Sequence, residues 1–319
     1  MTRLSNLQLF ALAVFFWGTT WHAIVYQIAV STPEFGVTMR FALAAALVLA
    51  YAAARGERLR FGMRVHGLLA LQGVFMYSLS YLCVYHAERH VPSGLVAVGY
   101  SASPLLAGAG AWALWRTPLS RRFIAGGMLG MAGVALIFWP EIGTTGAHPT
   151  AALGLLFTAA AVLMSTVGAL AATRNQGHAL PFWSGMGWSM AYGSAASAAV
   201  LLALGQPLPR LTAWSWWLSL AYLVVAGTVL AFGAFLTLQQ RVGPGKAASI
   251  GVMTPVLALL VSTAFEHYQP GIWTLAGALL AVLGNVLMLR KGAAAAVPPF
   301  GKVRAPLAAP LHNPESPLP

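Results

Sequence analysis

Two side chains that carry or readily acquire charge lie within the long apolar stretches of this 319-residue chain: His22, in the outer half of the first, and Arg40, about a turn and a half from the outer end of the second. Arg40 is placed to hold a carboxylate through a two-pronged contact. The alternative is that it snorkels to lipid headgroups or pairs with nearby Glu34. Histidine as a residue type titrates near neutrality, so His22 is the candidate through which proton coupling would run, against a neutral imidazole hydrogen-bonded inside a helix bundle or near the outer interface. The carboxylates are Glu34, Glu57, Glu88, Glu141, Glu266 and Glu315, with no Asp, and all fall at stretch ends, in loops or in the tail. A proton-driven antiporter usually carries an ionisable carboxylate at mid-membrane, where its pKa can be raised. None is expected here, so the sequence points to a downhill facilitator or to coupling through a histidine.

The same scarcity excludes several chemistries. There is no pair for an intramembrane aspartyl protease and no carboxylate set for a metal. Lys246 sits at a stretch end, unsuited to a buried Schiff base. His66, His86, His90, His148, His178, His267 and His312 lie at stretch ends, in loops or in the tail, and no two share metal-ligand spacing on one helix face. No catalytic residue, metal or cofactor is expected.

Aromatic residues supply the stronger pattern. Trp17 and Trp21 are four apart and share one helical face, and Tyr77, Tyr81 and Tyr85 repeat at the same interval. Tyr100 lies at mid-stretch with Ser101 and Ser103. Rings interleaved with hydroxyls would suit a flat zwitterionic or cationic guest through stacking, cation–π contact and hydrogen bonds. Helix packing is the plainer account of any one of them, although a mid-membrane tyrosine hydroxyl needs a partner where water is scarce. Trp112, Trp115, Trp139, Trp214, Trp216, Trp217 and Trp273 fall near stretch ends and read as interfacial anchors. Pro104 and Pro255 occupy matching mid-stretch positions, as paired hinges or as static kinks. Gly126, Gly127, Gly130 and Gly133 permit close helix approach, joining two halves or two protomers.

The elements that must position these residues are membrane spans. With 59% hydrophobic and 8% charged residues, water is not the main solvent of this chain. A span needs about 20 apolar residues. Ten stretches qualify, near 7–28, 34–54, 66–88, 92–115, 121–140, 151–173, 180–204, 214–240, 244–266 and 270–290. The first runs straight on into the others, so no cleaved leader is called for. Cys83 is the single cysteine, which forbids an intrachain disulfide. Prolines crowd the segment after Lys291, which reads as a disordered tail.

The net charge of +12 is distributed by side and not in a patch for nucleic acid. If the N-terminus is cytoplasmic, fifteen Lys and Arg fall on the inner side and only Arg89 and Arg210 on the outer, with Arg40 inside a span. This bias puts both termini in the cytoplasm, with an added attraction to anionic lipid.

The chain is also duplicated. Sliding Val91–Trp139 onto Val242–Arg290, an offset of 151 without gaps, gives twelve identities in 49 positions, including Pro104/Pro255, Gly126/Gly277 and Gly133/Gly284. An odd number of spans per unit inserts the two copies in opposite orientation. Inverted repeats mark alternating-access transporters, with the site near the midplane between repeats.

The stretch Trp17-Gly18-Thr19-Thr20, the Arg40-Phe41 step, the run Ala97 to Leu106 and its partner Ala248 to Val256 resemble the EamA family of the drug/metabolite transporter superfamily. The resemblance covers about residues 7–290 and implies movement of small metabolites, often outward. The aromatic content is also similar to the YddG branch, which implies export of aromatic amino acids. The family's carboxylate near the ninth-to-tenth turn is matched by Glu266, whereas its first-half counterpart here is Trp115.

The expected architecture is therefore an all-α integral membrane protein. It has ten transmembrane helices as two inverted five-helix repeats (1–145 and 146–292) around a central cavity, followed by a disordered cytoplasmic tail (293–319). The expected role is export of a small organic solute, an amino acid first, across a bacterial inner membrane by a monomer or homodimer. Trp17, Trp21, His22, Arg40, Tyr77, Tyr81, Tyr85, Tyr100, Ser101 and Ser103 would bind substrate, with hinges at Pro104 and Pro255. The partners expected are that solute and the lipid bilayer, and no nucleic acid. Drugs or nucleotide sugars are alternative cargoes. A membrane enzyme on lipid-linked substrates would need a catalytic cluster that the scattered His and Glu residues do not offer.

Overall fold

The computed structural model describes residues 3–91, 93–137, 139, 150–178, 180–206, 208–209, 213–265 and 271–290, without the side chains of 94, 95, 97 and 258–265. Glu141, His148, Arg210, Glu266, His267 and everything from 291 on, including the expected tail, lie outside the described residues.

Among the described residues every regular element is helical. The first half holds α1 (Asn6–Ile28), α2 (Pro33–Ala54), α3 (Met63–Gly73), a π turn (Val74–Leu79), α4 (Ser80–Ala87), α5 (Ser93–Tyr100), α6 (Ser103–Trp115) and α7 (Arg121–Ile137). The second holds α8 (Ala151–Gln176), α9 (Phe182–Ala203), α10 (Trp214–Val224), a π turn (Val225–Leu230), α11 (Ala231–Val242), α12 (Pro244–Ala248), α13 (Ile250–Phe265) and α14 (Ile272–Leu289). Local signals set the starts. Ser5 and Gln8 close a reciprocal capping box on α1, and Thr32 caps α2 with Pro33 in the first turn, where a missing N–H costs nothing.

Six of the helical runs are long and apolar enough to cross a membrane: α1, α2, the continuous Met63–Ala87 and Trp214–Val242, α8 and α14. Their outward surfaces are apolar, with Leu155, Leu156 and Leu163 exposed on α8 and Leu279 and Leu283 on α14. Gln27, Arg40, Gln72, Asn175 and Gln239 are buried inside. Hydrocarbon selects this distribution, because polar groups find partners only within the bundle.

Two expected spans are interrupted. The stretch 92–115 breaks at Ser101-Ala102, where Pro104, lacking an N–H, opens the new helix α6. In the second half the break comes at Ser249, whereas Pro255 lies inside α13. The matched prolines therefore do not act alike: the second helix break falls at Ser249, six residues before Pro255. The two broken helices meet: a Cβ on Gly251 would stand 2.7 Å from the Tyr100 carbonyl oxygen. The π turns correspond more closely, since each boundary of the second lies 151 residues after the first.

Packing joins the halves. α2 lies along α9, and α3 and α4 pack on α8 while α10 and α11 pack on α1. α7 lies along α14, which answers how the glycine run is used. A Cβ on Gly133 would come within 2.6 Å of the Gly277 carbonyl oxygen, so backbone meets backbone there. Trp112, Trp139, Trp214, Trp217 and Trp273 are exposed and Trp115 is half-buried, as anchors would be. Trp216 is not an anchor. It is fully buried and donates its indole N–H to Ser31 Oγ at 3.0 Å.

Candidate functional site

A cavity with about 870 Å³ of atom-free space, counting the solvent at its mouth, lies among α1, α2, α4, α5, α8, α11 and the two helix breaks. Its aromatic wall comes from Trp17 and Trp21 on α1, Tyr81 on α4, Tyr100 at the end of α5, and Phe232 and Phe235 on α11. The Trp17 ring centroid lies 5.0 Å from that of Phe232 and 5.3 Å from that of Phe235, and Trp21 stands edge-on to Tyr100 at 5.9 Å. Ser103, Ser165, Thr166 and Thr254 supply hydroxyls.

Arg40 is the cation in this wall among the described residues. It is only 1% exposed, which excludes snorkelling. It does not pair with Glu34, whose Oε1 lies 2.7 Å from His86 Nε2. Instead Arg40 Nε donates to Thr228 Oγ1 at 2.8 Å and Nη2 to the Gly227 carbonyl at 3.2 Å. Both acceptors sit in the second π turn. A π turn leaves carbonyls out of the ordinary ladder, and Gly227 uses its spare oxygen twice, accepting also from Trp17 Nε1 at 3.1 Å. The guanidinium carbon lies 4.6 Å from the Tyr81 ring centroid, within cation–π range.

Three buried polar atoms on cavity-lining residues have no hydrogen-bond partner among the described residues: Arg40 Nη1, Trp21 Nε1 and Ser103 Oγ. Arginine and tryptophan nitrogens can only donate, and serine can do either. An empty buried donor is costly. The set therefore suits a guest that brings acceptor oxygens.

Of the residues singled out by sequence, Trp17, Trp21, Arg40, Tyr81, Tyr100 and Ser103 line the cavity, and four do not. His22 is exposed on the opposite side of α1, with Nε2 3.4 Å from Tyr26 Oη. Tyr77 is buried core, its ring 5.3 Å from Phe41 and 4.9 Å from Phe232. Tyr85 is buried between α4 and α2, where a Cβ on Gly36 would stand 3.3 Å from its ring. Ser101 Oγ is turned back to the Val98 carbonyl in the α5–α6 break. The three tyrosines do not share one face because each four-residue step overshoots a helical turn by about 40°, and Tyr77 sits in the wider π turn.

Sequence reasoning missed the second-half wall. The repeat offset of 151 carries Tyr81 to Phe232, Val84 to Phe235, Tyr100 to Gly251 and Ser103 to Thr254, and all eight positions line the cavity. Applying that offset to the first-half candidates was the available signal. It also missed Glu88, a stretch-end residue whose two carboxylate oxygens are buried without a hydrogen-bond partner among the described residues. Glu88 stays at the stretch end where the sequence places it, and the burial of its carboxylate is what sequence reasoning did not foresee. Glu57, by contrast, is engaged by the Ser184 N–H and hydroxyl.

The profile of the EamA-like transporter family matches residues 4–139 and again 152–290. An uncharacterized inner membrane transporter of Escherichia coli strain K12, YedA, is 27% identical over 256 residues, 80% of this chain and 80% of its own length. YedA of Escherichia coli O157:H7 matches to the same extent. A crystal structure of a protein 22% identical to this chain shares its fold, with a TM-score of 0.72 over 88% of this chain and 95% of its own.

Proposed function

The chain belongs to the EamA-like transporter family, a membrane transporter and not an enzyme, and on that premise we propose that it exports small organic metabolites, foremost amino acids, aromatic or otherwise neutral, by alternating access. The observation that carries the solute class is the trio of unfilled groups, Arg40 Nη1, Trp21 Nε1 and Ser103 Oγ, inside an aromatic wall. A carboxylate fills them. The ammonium group rests against the ring of Trp17, away from Tyr81, which already carries the Arg40 guanidinium, and the side chain against Phe232 and Phe235. The one cation lining the cavity among the described residues suits one carboxylate better than the paired phosphates of a nucleotide sugar.

The carrier is ten spans in two inverted repeats, 1–145 and 146–292, with both termini cytoplasmic in a bacterial inner membrane. The double family match, the π turns 151 residues apart and the four pairs of lining positions at the same offset support the repeat. The charge bias supports the orientation, and the YedA relative supports the membrane. Helix breaks at Ser101 and Ser249 beside the cavity are the flexible points about which the halves rock. The wall is complete within one chain, so a monomer suffices.

Counterflow in proteoliposomes, with labelled phenylalanine, tryptophan, tyrosine and leucine, tests this. Saturable counterflow of at least one is the expected result. Its absence for all four, from protein that elutes as a single folded species, overturns the solute class.

A further inference from the structure

Glu88 follows the last residue of α4 and lies one helical turn beyond Val84. It thus extends the face of α4 that lines the cavity through Ser80, Tyr81 and Val84. Both of its carboxylate oxygens are buried, and neither has a hydrogen-bond partner among the described residues. An ionised carboxylate is poorly tolerated in such a place.

The elements packed against α4 do not neutralise it. They are α2, α5, α8 and the first π turn. α2 brings Arg40, which donates through Nε and Nη2 to Thr228 and Gly227, keeps Nη1 without a partner and acts on Glu88 by its charge without hydrogen-bonding it, and Glu34, already held by His86. α5 brings Tyr100, whose hydroxyl lies 3.2 Å from Ser80 Oγ, and the π turn brings Tyr77. Among the described residues the end of α8 beside Glu88 has no titratable group of its own: Phe157 stacks there on His86 and His90, and Arg174 lies in the last turn of α8. α4 and its exit add Tyr81, Cys83, Tyr85 and an exposed Arg89. Burial therefore pushes the Glu88 carboxyl well above the usual carboxylate range, with Arg40 pulling the other way.

We propose that Glu88 is a proton-binding site, filled while the helix ends around it are closed as here, which exchanges its proton with the outside solution when those ends part. On opening, the carboxyl O–H bond breaks, the proton passes to water and a hydrated carboxylate remains; closure reverses the step. The closed state has the greater proton affinity, so external acidity favours closure and external alkalinity favours opening. The outward sidedness rests on the orientation proposed above, whereas the proton site does not. The carrier then senses external pH without needing a carboxylate at the midplane.

Infrared difference titration of the whole protein in lipid nanodiscs tests the site without any transported solute. A protonated carboxylic band persisting at neutral pH in wild type, lost in Glu88→Gln and kept in Glu88→Asp, is the expected result. No such band in wild type at neutral pH, or one unchanged in a folded Glu88→Gln, overturns the proposal. Counterflow with pH varied on one face at a time then reads sidedness. Faster opening-limited exchange on raising external pH, abolished in Glu88→Gln, is expected. A response from the opposite face, with the infrared band intact, overturns the orientation and leaves the proton site. Absence of amino acid flux overturns the solute class, and the infrared result still decides Glu88.

Discussion

Arg40 Nε and Thr228 Oγ1 are 2.8 Å apart, a hydrogen bond between α2 in the first half of the chain and the π turn in the second. The residue that sequence alone places equally well at a lipid headgroup is instead a bridge across the repeats, with one nitrogen left over for a guest.

Arg40→Gln should lower amino acid counterflow by about 10–100-fold, the range expected for one lost charge-assisted hydrogen bond. Arg40→Lys should not restore it, because an ammonium cannot span Thr228, Gly227 and a carboxylate together. Normal flux in Arg40→Gln sinks the carboxylate contact.

Trp21→Phe keeps the ring beside Tyr100 and deletes the unfilled indole N–H. The apparent KM for an amino acid should rise by roughly 5–10-fold, one neutral hydrogen bond, with little change in melting temperature. An unchanged KM removes Trp21 from the binding set.

Tyr77 separates wall from core. Tyr77→Ala should lower stability on the order of 3 kcal/mol, as other buried aromatic truncations do, seen as a lower melting temperature in detergent. Tyr77→Phe should leave KM unchanged because the side chain does not reach the cavity.

The α7–α14 seam has no room for a methyl group at Gly133, where the Gly277 carbonyl would be met at 2.6 Å. Gly133→Ala should cost about 1–3 kcal/mol through backbone displacement. Gly67→Ala, inside α3 where the added carbon meets open space, should not lower stability, because Ala is the better helix former. Equal melting temperatures for the two variants would contradict the close seam.

Spans, duplication and part of the wall were legible in the chain. Trp17 and Trp21 on one face follow from helical period alone, and the offset of 151 that aligns Pro104 with Pro255 also locates Phe232 and Phe235. His22 was misplaced because periodicity ranks residues around a helix without saying which side meets the cavity. Trp216 was misjudged because proximity to a stretch end does not report burial.

By itself, then, the sequence determined what local rules and hydrocarbon dictate: long apolar helices, where they start, their repetition and the residue types available for recognition. Only the tertiary structure decided which face of each helix turns inward. It bound Arg40 to Thr228 and left the two carboxylate oxygens of Glu88 buried without a partner among the described residues. Those outcomes depend on contacts between residues far apart in the chain, Arg40 and Thr228 being 188 positions apart, and no local pattern encodes the distance between them.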